Sequence, residues 1–219
     1  IAIDGPAGAG KSTIAKLVAA KLGFIYVDTG AMYRAMALYF LENGIQPEDE
    51  EKVSAACGQI DISLRYQDGV QQVILNGRDV SGKIRTEAVG NAASVVSAYR
   101  AVRQALLALQ QNLAKTSNVI MDGRDIGTCV LPNAQTKIYL TASSHVRAVR
   151  RYKELTEKGQ MCNLEEIEQD IIDRDYRDMH REIAPLTQAA DAVLLDSSEM
   201  TIDQVVDGII GAARERGLA

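Results

Sequence analysis

Apolar and polar positions follow two different patterns along this chain. In the first, short apolar runs are bounded by Asp, Gly or Ser, and helical stretches separate most of them. The runs lie at residues 1–3, 24–27, 118–121, 137–140 and 192–195. Buried strands that alternate with amphipathic helices predict a parallel sheet with helices on both faces, so we expect an α/β fold.

Helices are indicated by apolar residues at helical spacing and by capping residues. Residues 12–22 show this spacing after the first predicted strand and a glycine-rich turn, and Gly23 is a typical helix stop. An apolar face also recurs between Val102 and Leu113. Two capping-box pairs predict further helix starts, Asn163 with Glu166 and Thr201 with Gln204.

The second pattern is strict alternation, and it begins at Ile60. Apolar residues alternate with polar ones up to Tyr66, Asp68-Gly69 follows, and a second run at 70–75 leads into Asn76-Gly77. These are signals of antiparallel hairpins. Residues from about 58 to 82 therefore predict a small antiparallel sheet inserted into the parallel architecture, followed by helices.

Residues 5–12, Gly-Pro-Ala-Gly-Ala-Gly-Lys-Ser, match the phosphate-binding pattern G-x-x-x-x-G-K-S/T between a predicted strand and a predicted helix. Backbone N–H groups can surround a phosphate here, the helix N-terminus adds positive charge, and Lys11 can reach the outer phosphates. A chance glycine-rich turn is the alternative. A dinucleotide-binding fingerprint is absent, because it would need glycine at position 13, where the chain has Thr13. The predicted nucleotide-binding residues are Gly5, Pro6, Ala7, Gly8, Ala9, Gly10, Lys11, Ser12 and Thr13.

An apolar run that ends in a carboxylate is the second half of such a site, and residues 119–122 provide it. The Ser12 hydroxyl can ligate magnesium, and Asp122 is the expected acid on the magnesium side. A turn-capping role is the alternative for an aspartate at a strand end.

Nine of the fifteen arginines lie between Arg100 and Arg181. Phosphoryl transfer needs fixed cations, because it brings several negative charges together. Arg174, Arg177 and Arg181 are spaced to share one helix face, which would suit a single anionic ligand. A solvated face of ion pairs four residues apart is the alternative.

No nucleophile or general base is evident in the sequence. The two histidines, His145 and His180, are far apart and belong to no Cys or Ser motif, so we expect both at the surface. A phosphate monoester is largely dianionic at neutral pH and needs no deprotonation. The missing base therefore favours a nucleotide over a sugar or a protein as phosphoryl acceptor.

Composition narrows the class of protein further. The chain has 219 residues, 47% of them hydrophobic, and a formal net charge of −5, which does not favour a nucleic-acid partner. No apolar run is long enough to span a membrane. Three cysteines at wide spacings argue against a disulfide framework and for a reducing cytoplasm, and we expect Cys129 to be a small buried hydrophobe.

Several segments together resemble the bacterial cytidylate kinases, a nucleoside monophosphate kinase family of P-loop proteins, over essentially the whole chain. They are residues 4–13, Asp28-Thr29-Gly30-Ala31-Met32-Tyr33-Arg34, Val80-Ser81-Gly82-Lys83-Ile84-Arg85, Asn91-Ala92-Ala93-Ser94, Asp122-Gly123-Arg124-Asp125 and residues 174–186. The resemblance implies a P-loop kinase fold with a parallel sheet flanked by helices, an antiparallel insertion in the NMP-binding region and a short helical lid. It also implies that ATP, with magnesium, phosphorylates CMP or dCMP.

The resemblance also implies roles for single residues. Ligands of the acceptor phosphate would be Arg34, Arg124 and Arg181. Readers of the cytosine edge would be Ser94, Arg103 and Asp125, and the sugar contacts would be Arg174 and Asp178. Thr29 stands where serine is also common in the family, and both keep a hydroxyl. Of the lid arginines Arg147, Arg150 and Arg151, we expect Arg147 and Arg151 to act in catalysis with Lys11, Arg124 and Arg181.

We therefore expect a single domain over residues 1–219, acting as a monomer. Its NMP-binding region would cover residues 34–110, with the antiparallel insertion at about 58–95, and its lid residues 146–164. A kinase for another small acceptor, such as UMP or a shikimate-like metabolite, is one alternative. A nucleotide-sensing switch without turnover is the other.

Overall fold

The computed structural model describes residues 1–67 and 69–218. Asp68, the first residue of the predicted Asp68-Gly69 turn, and Ala219, the last residue of the predicted domain, lie outside the described residues. The chain divides into two compact units. Unit 1 comprises residues 1–24 and 120–219, and unit 2 comprises residues 25–119.

Strands and helices alternate at the two ends of the chain, and a group of three strands interrupts them. The strands are β1 (Ala2–Asp4), β2 (Ile25–Asp28), β3 (Ile62–Gln67), β4 (Val70–Leu75), β5 (Arg78–Asp79), β6 (Val119–Gly123), β7 (Lys137–Thr141) and β8 (Val193–Asp196). The α-helices are α1 (Lys11–Leu22), α2 (Thr29–Glu42), α3 (Glu50–Ala56), α4 (Glu87–Val96), α5 (Arg100–Thr116), α6 (Ser144–Glu157), α7 (Leu164–His180) and α8 (Ile202–Glu215). A short 3₁₀-helix (Cys57–Gln59) follows α3, and a π-helical turn (Ile126–Val130) follows β6.

A parallel sheet forms the core of unit 1. Strands β6, β1, β7 and β8 lie side by side in this order and run in the same direction. Ile3 and Ile120 are fully buried, and helices α1 and α8 pack against each other. The register pairs Ile3 with Asp122, which brings the ends of β1 and β6 to one edge of the sheet. The phosphate loop and Asp122 therefore meet at that edge.

Local signals in the sequence account for the ends of several helices. The N–H of Gly23 donates to the Ala19 carbonyl and closes α1. The Thr201 hydroxyl and the Gln204 side chain form the complete predicted capping box of α8. At the start of α7, the Asn163 side chain accepts the N–H groups of the second and third helical residues. Each bond satisfies a backbone group that the helix leaves unpaired.

Unit 2 contains the antiparallel sheet that the alternation predicts. Strands β3, β4 and β5 pair in sequence order, with Ile62 opposite Leu75. Leu75 is fully buried, and so are Phe40 of α2 and Val102 of α5. The predicted α/β fold with a parallel sheet and a small antiparallel sheet is thus confirmed. The antiparallel strands end at residue 79, and helix α4 follows.

Cysteine burial departs from one expectation. Cys57 is buried, whereas Cys129 is exposed, so our prediction of a buried Cys129 is wrong. Cys129 lies in the π-helical turn, where Ile126 and Val130 point inward. The apolar surroundings of Cys129 in the sequence belong to those inward positions.

No helix in the described part of the chain is both long enough and apolar enough to cross a membrane.

Candidate active site

The glycine-rich loop turns tightly against the sheet. It begins at Gly5, which follows β1 and has a φ of +152°, a conformation that other residues rarely adopt. A Cβ atom at this position would overlap the backbone carbonyl oxygen of Leu140 in β7. Glycine is therefore required here so that the loop can follow the sheet edge closely.

Lys11 closes the loop from inside. It is 6% exposed, and its Nζ donates to the carbonyl oxygens of Gly5 and Pro6, both at 2.7 Å. Burial, together with the nearby Arg124 guanidinium, holds the pKa of Lys11 well below its usual range, while nearby carboxylates such as Asp122 oppose the shift. A phosphate ligand would supply the negative charge that favours the ammonium form.

The structure brings the two predicted magnesium ligands together. The Ser12 hydroxyl donates to Asp122 Oδ2 at 2.9 Å, and Asp122 is buried at the end of β6. Among residues 1–67 and 69–218, no group of three or more His, Cys, Asp or Glu side chains could hold a metal ion. One carboxylate and one hydroxyl do fit Mg²⁺, which usually keeps water and takes phosphate oxygens as its other ligands.

Two ion pairs of unit 1 join residues that we expect to contact the acceptor. Arg124 Nε donates to Asp178 Oδ2 at 2.8 Å, and Arg181 Nη2 lies 3.5 Å from Asp125 Oδ1. Burial alone would raise the pKa of Asp178, but Arg124, Arg174 and Arg181 outweigh it and hold this pKa below its ordinary value. The cluster thus keeps its carboxylate charged among three guanidinium groups.

We expect Arg174, Arg177 and Arg181 to share one face of α7, and this prediction is wrong for Arg181. Helix α7 ends at His180, so Arg181 follows it in extended backbone, and its Nε donates to the Ala184 carbonyl at 2.7 Å. Arg177 is exposed. The prediction extended the helix through residue 181 because the arginines keep helical spacing and the sequence carries no clear helix stop there. Both histidines are exposed, as expected.

Arg147 and Arg151, the two arginines of α6 that we expect to act in catalysis, differ in their surroundings. Arg147 is buried and donates to the carbonyls of Ala142 and Ala7, each at 2.8 Å, and to Asp175 Oδ2 at 2.6 Å. It therefore ties the phosphate loop to α7. Arg151 lies at the surface and pairs with Glu154, three residues further along the same helix.

In unit 2, Ser94 of α4 and Arg103 of α5 both form hydrogen bonds with Ser97, which lies between these helices. The Ser97 hydroxyl donates to the Ser94 carbonyl at 3.0 Å, and Arg103 Nη1 donates to the Ser97 carbonyl at 3.2 Å. The Arg103 guanidinium also lies over the Tyr33 ring, 5.7 Å from its centroid. Two predicted readers of the base are thus held close together.

The remaining predicted residues of unit 2 lie at the start of α2. Thr29 is buried there as the first helical residue, and Asp28 caps the helix. Arg34 Nη2 lies 3.3 Å from Asp28 Oδ2, and Arg85 Nη2 lies 2.9 Å from the same atom.

Sequence reasoning missed several buried aspartates that organise these groups. Asp4 accepts the N–H groups of Ile126 and Gly127, both at 2.7 Å, and so fixes the backbone directly after Arg124 and Asp125. Asp28 and Asp175 hold arginines in the same way. Polar residues at strand ends were the available signal for the first two, but each partner is distant in sequence.

A parallel sheet whose first strand runs into a glycine-rich loop, a lysine and a helix is typical of P-loop nucleotide-binding proteins. The family model for cytidylate kinase matches residues 1–215. The chain is also similar to curated relatives named cytidylate kinase. That of Caldicellulosiruptor bescii is 51% identical over 96% of this chain and 93% of the relative, and that of Leuconostoc mesenteroides 52% identical over 94% and 92%. That of Ligilactobacillus salivarius is 50% identical over 99% of this chain and 96% of the relative. The chain belongs to the cytidylate kinase family and is an ATP-dependent nucleoside monophosphate kinase.

Proposed function

We propose that this protein transfers the γ-phosphoryl group of ATP to CMP or dCMP, giving ADP and CDP or dCDP. One observation carries the proposal: in a chain that matches the cytidylate kinase family over residues 1–215, the phosphate loop, Lys11 and Asp122 are assembled in one compact unit. A loop of this kind without a buried lysine and an adjacent carboxylate would support nucleotide binding only.

The donor side uses the loop amides and the N-terminus of α1. Residues 5–13 surround the phosphates, and Lys11 exchanges the loop carbonyls for the outer phosphate oxygens. Ser12 and Asp122 would hold Mg²⁺, which, when bound, neutralises charge on the phosphates. Binding the triphosphate in this cradle fixes its γ-phosphorus for attack.

The acceptor's own phosphate is the nucleophile. One of its oxygens bonds to the γ-phosphorus, the bond from that phosphorus to the bridging oxygen of ADP breaks, and no proton has to be removed. Arg34, Arg124 and Arg181 grip the acceptor phosphate and offset the repulsion between two anions. Arg147 and Arg151, in the lid at residues 146–164, would act on the transferred group while the lid excludes water.

Base recognition falls to Ser94, Arg103 and Asp125, and sugar contacts fall to Arg174 and Asp178. Cytosine presents an amine donor beside two acceptors, which suits a carboxylate plus a guanidinium. Uracil would place its O4 acceptor against Asp125, leaving two acceptors facing each other.

We also propose a cytoplasmic monomer, with residues 34–110 as its NMP-binding region and the insertion at about 58–95 as part of that region. The antiparallel strands β3, β4 and β5 support the assignment of the NMP-binding region, and so do the contacts that Ser94 and Arg103 both make with Ser97.

Steady-state rates with ATP and a panel of CMP, dCMP, UMP, AMP and shikimate test the function. We expect CMP and dCMP to be the preferred acceptors, because cytosine offers an amine donor to Asp125 and uracil offers an acceptor instead. Preference for any other acceptor would refute the base assignment. Nucleotide binding without ADP production on adding CMP would indicate a sensing switch instead.

A further inference from the structure

One buried carboxylate in unit 2 holds two guanidinium groups. Asp28 is 4% exposed, and Arg34 and Arg85 both reach its Oδ2 atom, at 3.3 and 2.9 Å. Its other oxygen accepts the N–H of Ala31. The three charged side chains together carry one excess positive charge. Where burial limits screening by water, this excess favours an anionic ligand.

The inserted sheet holds the backbone of Asp28. The Asp28 N–H donates to Gln71 Oε1 at 2.9 Å, and Gln71 Nε2 donates to the Asp28 carbonyl at 3.3 Å. Gln71 lies on β4, so the insertion grips the junction between β2 and α2 on both sides of one residue. The residue whose carboxylate pairs with the two guanidinium groups is therefore held through both of its backbone polar groups.

Arg85 combines a fixed backbone with an accessible head group. Its neighbour Ile84 is 1% exposed, and the N–H groups of Lys83 and Ile84 donate to the Val80 carbonyl in a tight turn. The Arg85 side chain is nevertheless 56% exposed. Asp28 holds one end of a planar fork of donors, which leaves the rest of the fork accessible to a phosphate.

A structural ion pair is the competing explanation, and Arg78 shows what such a pair looks like in the same unit. Arg78 is also 56% exposed and lies 2.7 Å from Glu42, with Lys83 3.8 Å from the same carboxylate. Glu42 is 31% exposed, whereas the Asp28 side chain is 6% exposed. Solvent screens the Glu42 cluster, so it offers an anion little attraction.

We infer that Arg85 is a further ligand of the acceptor's phosphate, held beside Arg34 by their shared contact with Asp28. The inference rests on the proposed role of Arg34. Asp28 offsets the repulsion between two cations while no acceptor is bound. A phosphate monoester dianion then meets two guanidinium groups already in position, which lowers the entropic cost of binding.

The test compares Arg85→Gln with Arg34→Gln and with Arg78→Gln as the matched control. We expect Arg85→Gln to raise the KM for CMP by about tenfold to a hundredfold, the range for loss of a hydrogen bond to a charged group. The KM for ATP and the melting temperature stay unchanged. Calorimetry should show the same loss of affinity for CMP but none for cytidine, which lacks the phosphate. Arg85→Lys keeps the positive charge but not the planar fork of donors, so its KM for CMP should lie between those of the wild type and Arg85→Gln.

Three results would overturn this inference. If Arg85→Gln matches Arg78→Gln while Arg34→Gln raises the KM for CMP, Arg85 is only a structural ion pair and the proposed function stands. If Arg34→Gln leaves that KM unchanged, the proposed phosphate site itself is wrong. If cytidine affinity falls as much as CMP affinity, Arg85 supports the fold and does not touch the phosphate.

Discussion

At the scale of single residues, four buried aspartates hold groups in or beside the proposed site. Asp4, Asp28, Asp122 and Asp178 are each at most 5% exposed, and each accepts hydrogen bonds from a group in or beside the proposed site. A buried carboxylate is costly unless it is paired in this way. Their positions therefore determine where the loops and arginines can lie.

Asp4 makes the stability of the protein depend on pH in an unusual direction. Burial raises its pKa from 3.8 to about 6, although the Gly127 and Ile126 amides oppose the rise. Between these two values the native protein binds this proton more tightly than the unfolded chain does. The Asp4 contribution to the free energy of unfolding therefore falls as pH rises through this interval, by about 3 kcal/mol in all, and is constant above it.

Urea unfolding of the wild type and Asp4→Asn across and above this interval measures that contribution as a difference. A difference independent of pH would contradict it. Asp196→Asn is the control, because the Ser198 hydroxyl and amide lower the pKa of Asp196. Its contribution has the opposite sign, so the stability that Asp196 adds is lost as pH falls through its pKa.

Asp125 should determine discrimination between cytosine and uracil. We expect Asp125→Asn to raise the KM for CMP by about tenfold, as for the loss of one hydrogen bond to a charged group. We also expect it to reduce the preference for CMP over UMP. An amide can donate to uracil O4, which a carboxylate cannot do. The ratio of kcat/KM for CMP and UMP measures the effect, and an unchanged ratio would remove Asp125 from the base site.

At the scale of elements, the phosphate loop depends on its contact with β7. Gly5 stands against the Leu140 carbonyl, which belongs to the strand and cannot move without it. Arg147 of α6 holds the same loop through the Ala7 carbonyl. The loop is thus shaped by β7 and α6 as well as by its glycines.

Gly5→Ala should destabilise the protein much more than Gly44→Ala. Both glycines have positive φ, but a Cβ at Gly44 meets nothing within 4 Å, whereas one at Gly5 overlaps backbone. We expect a loss of about 1 kcal/mol at Gly44 and of more than about 3 kcal/mol at Gly5, with loss of ATP binding. Urea unfolding gives both values, and equal losses would show that the loop tolerates a side chain.

At the scale of the whole molecule, the proposed donor and acceptor sites use different charged groups, so their ligands should stabilise the protein separately. A ligand at a hundred times its Kd adds about 2.7 kcal/mol, which raises the melting temperature by several degrees. We expect Lys11→Met to lose the rise in melting temperature with ATP and to keep the rise with CMP. We expect Asp178→Asn to keep the rise with ATP and to lose the rise with CMP. Turnover should fall by several powers of ten in Lys11→Met.

Thermal unfolding with each ligand alone measures these increases. Wild-type melting without ligand and both variants without ligand are the references, because Asp178→Asn also weakens the Arg124 pair. Loss of both increases in either variant would indicate damage to the fold and not to one site.

Features that depend on nearby residues can be predicted from the sequence alone. The strand, glycine loop and helix at residues 1–22 follow from local backbone conformation and apolar spacing, and so does the hairpin after Ile60. Capping at Thr201 needs only Gln204, three residues away.

Which distant groups share a buried carboxylate depends on the packing of the folded chain. The bonds from Ile126 to Asp4 and from Arg85 to Asp28 join residues 122 and 57 positions apart. Periodicity carries no information about such pairs, because they depend on how strands and turns pack. For the same reason the residue type did not show that Cys129 is exposed in a π-helical turn, and helical spacing did not show that Arg181 lies beyond the end of α7.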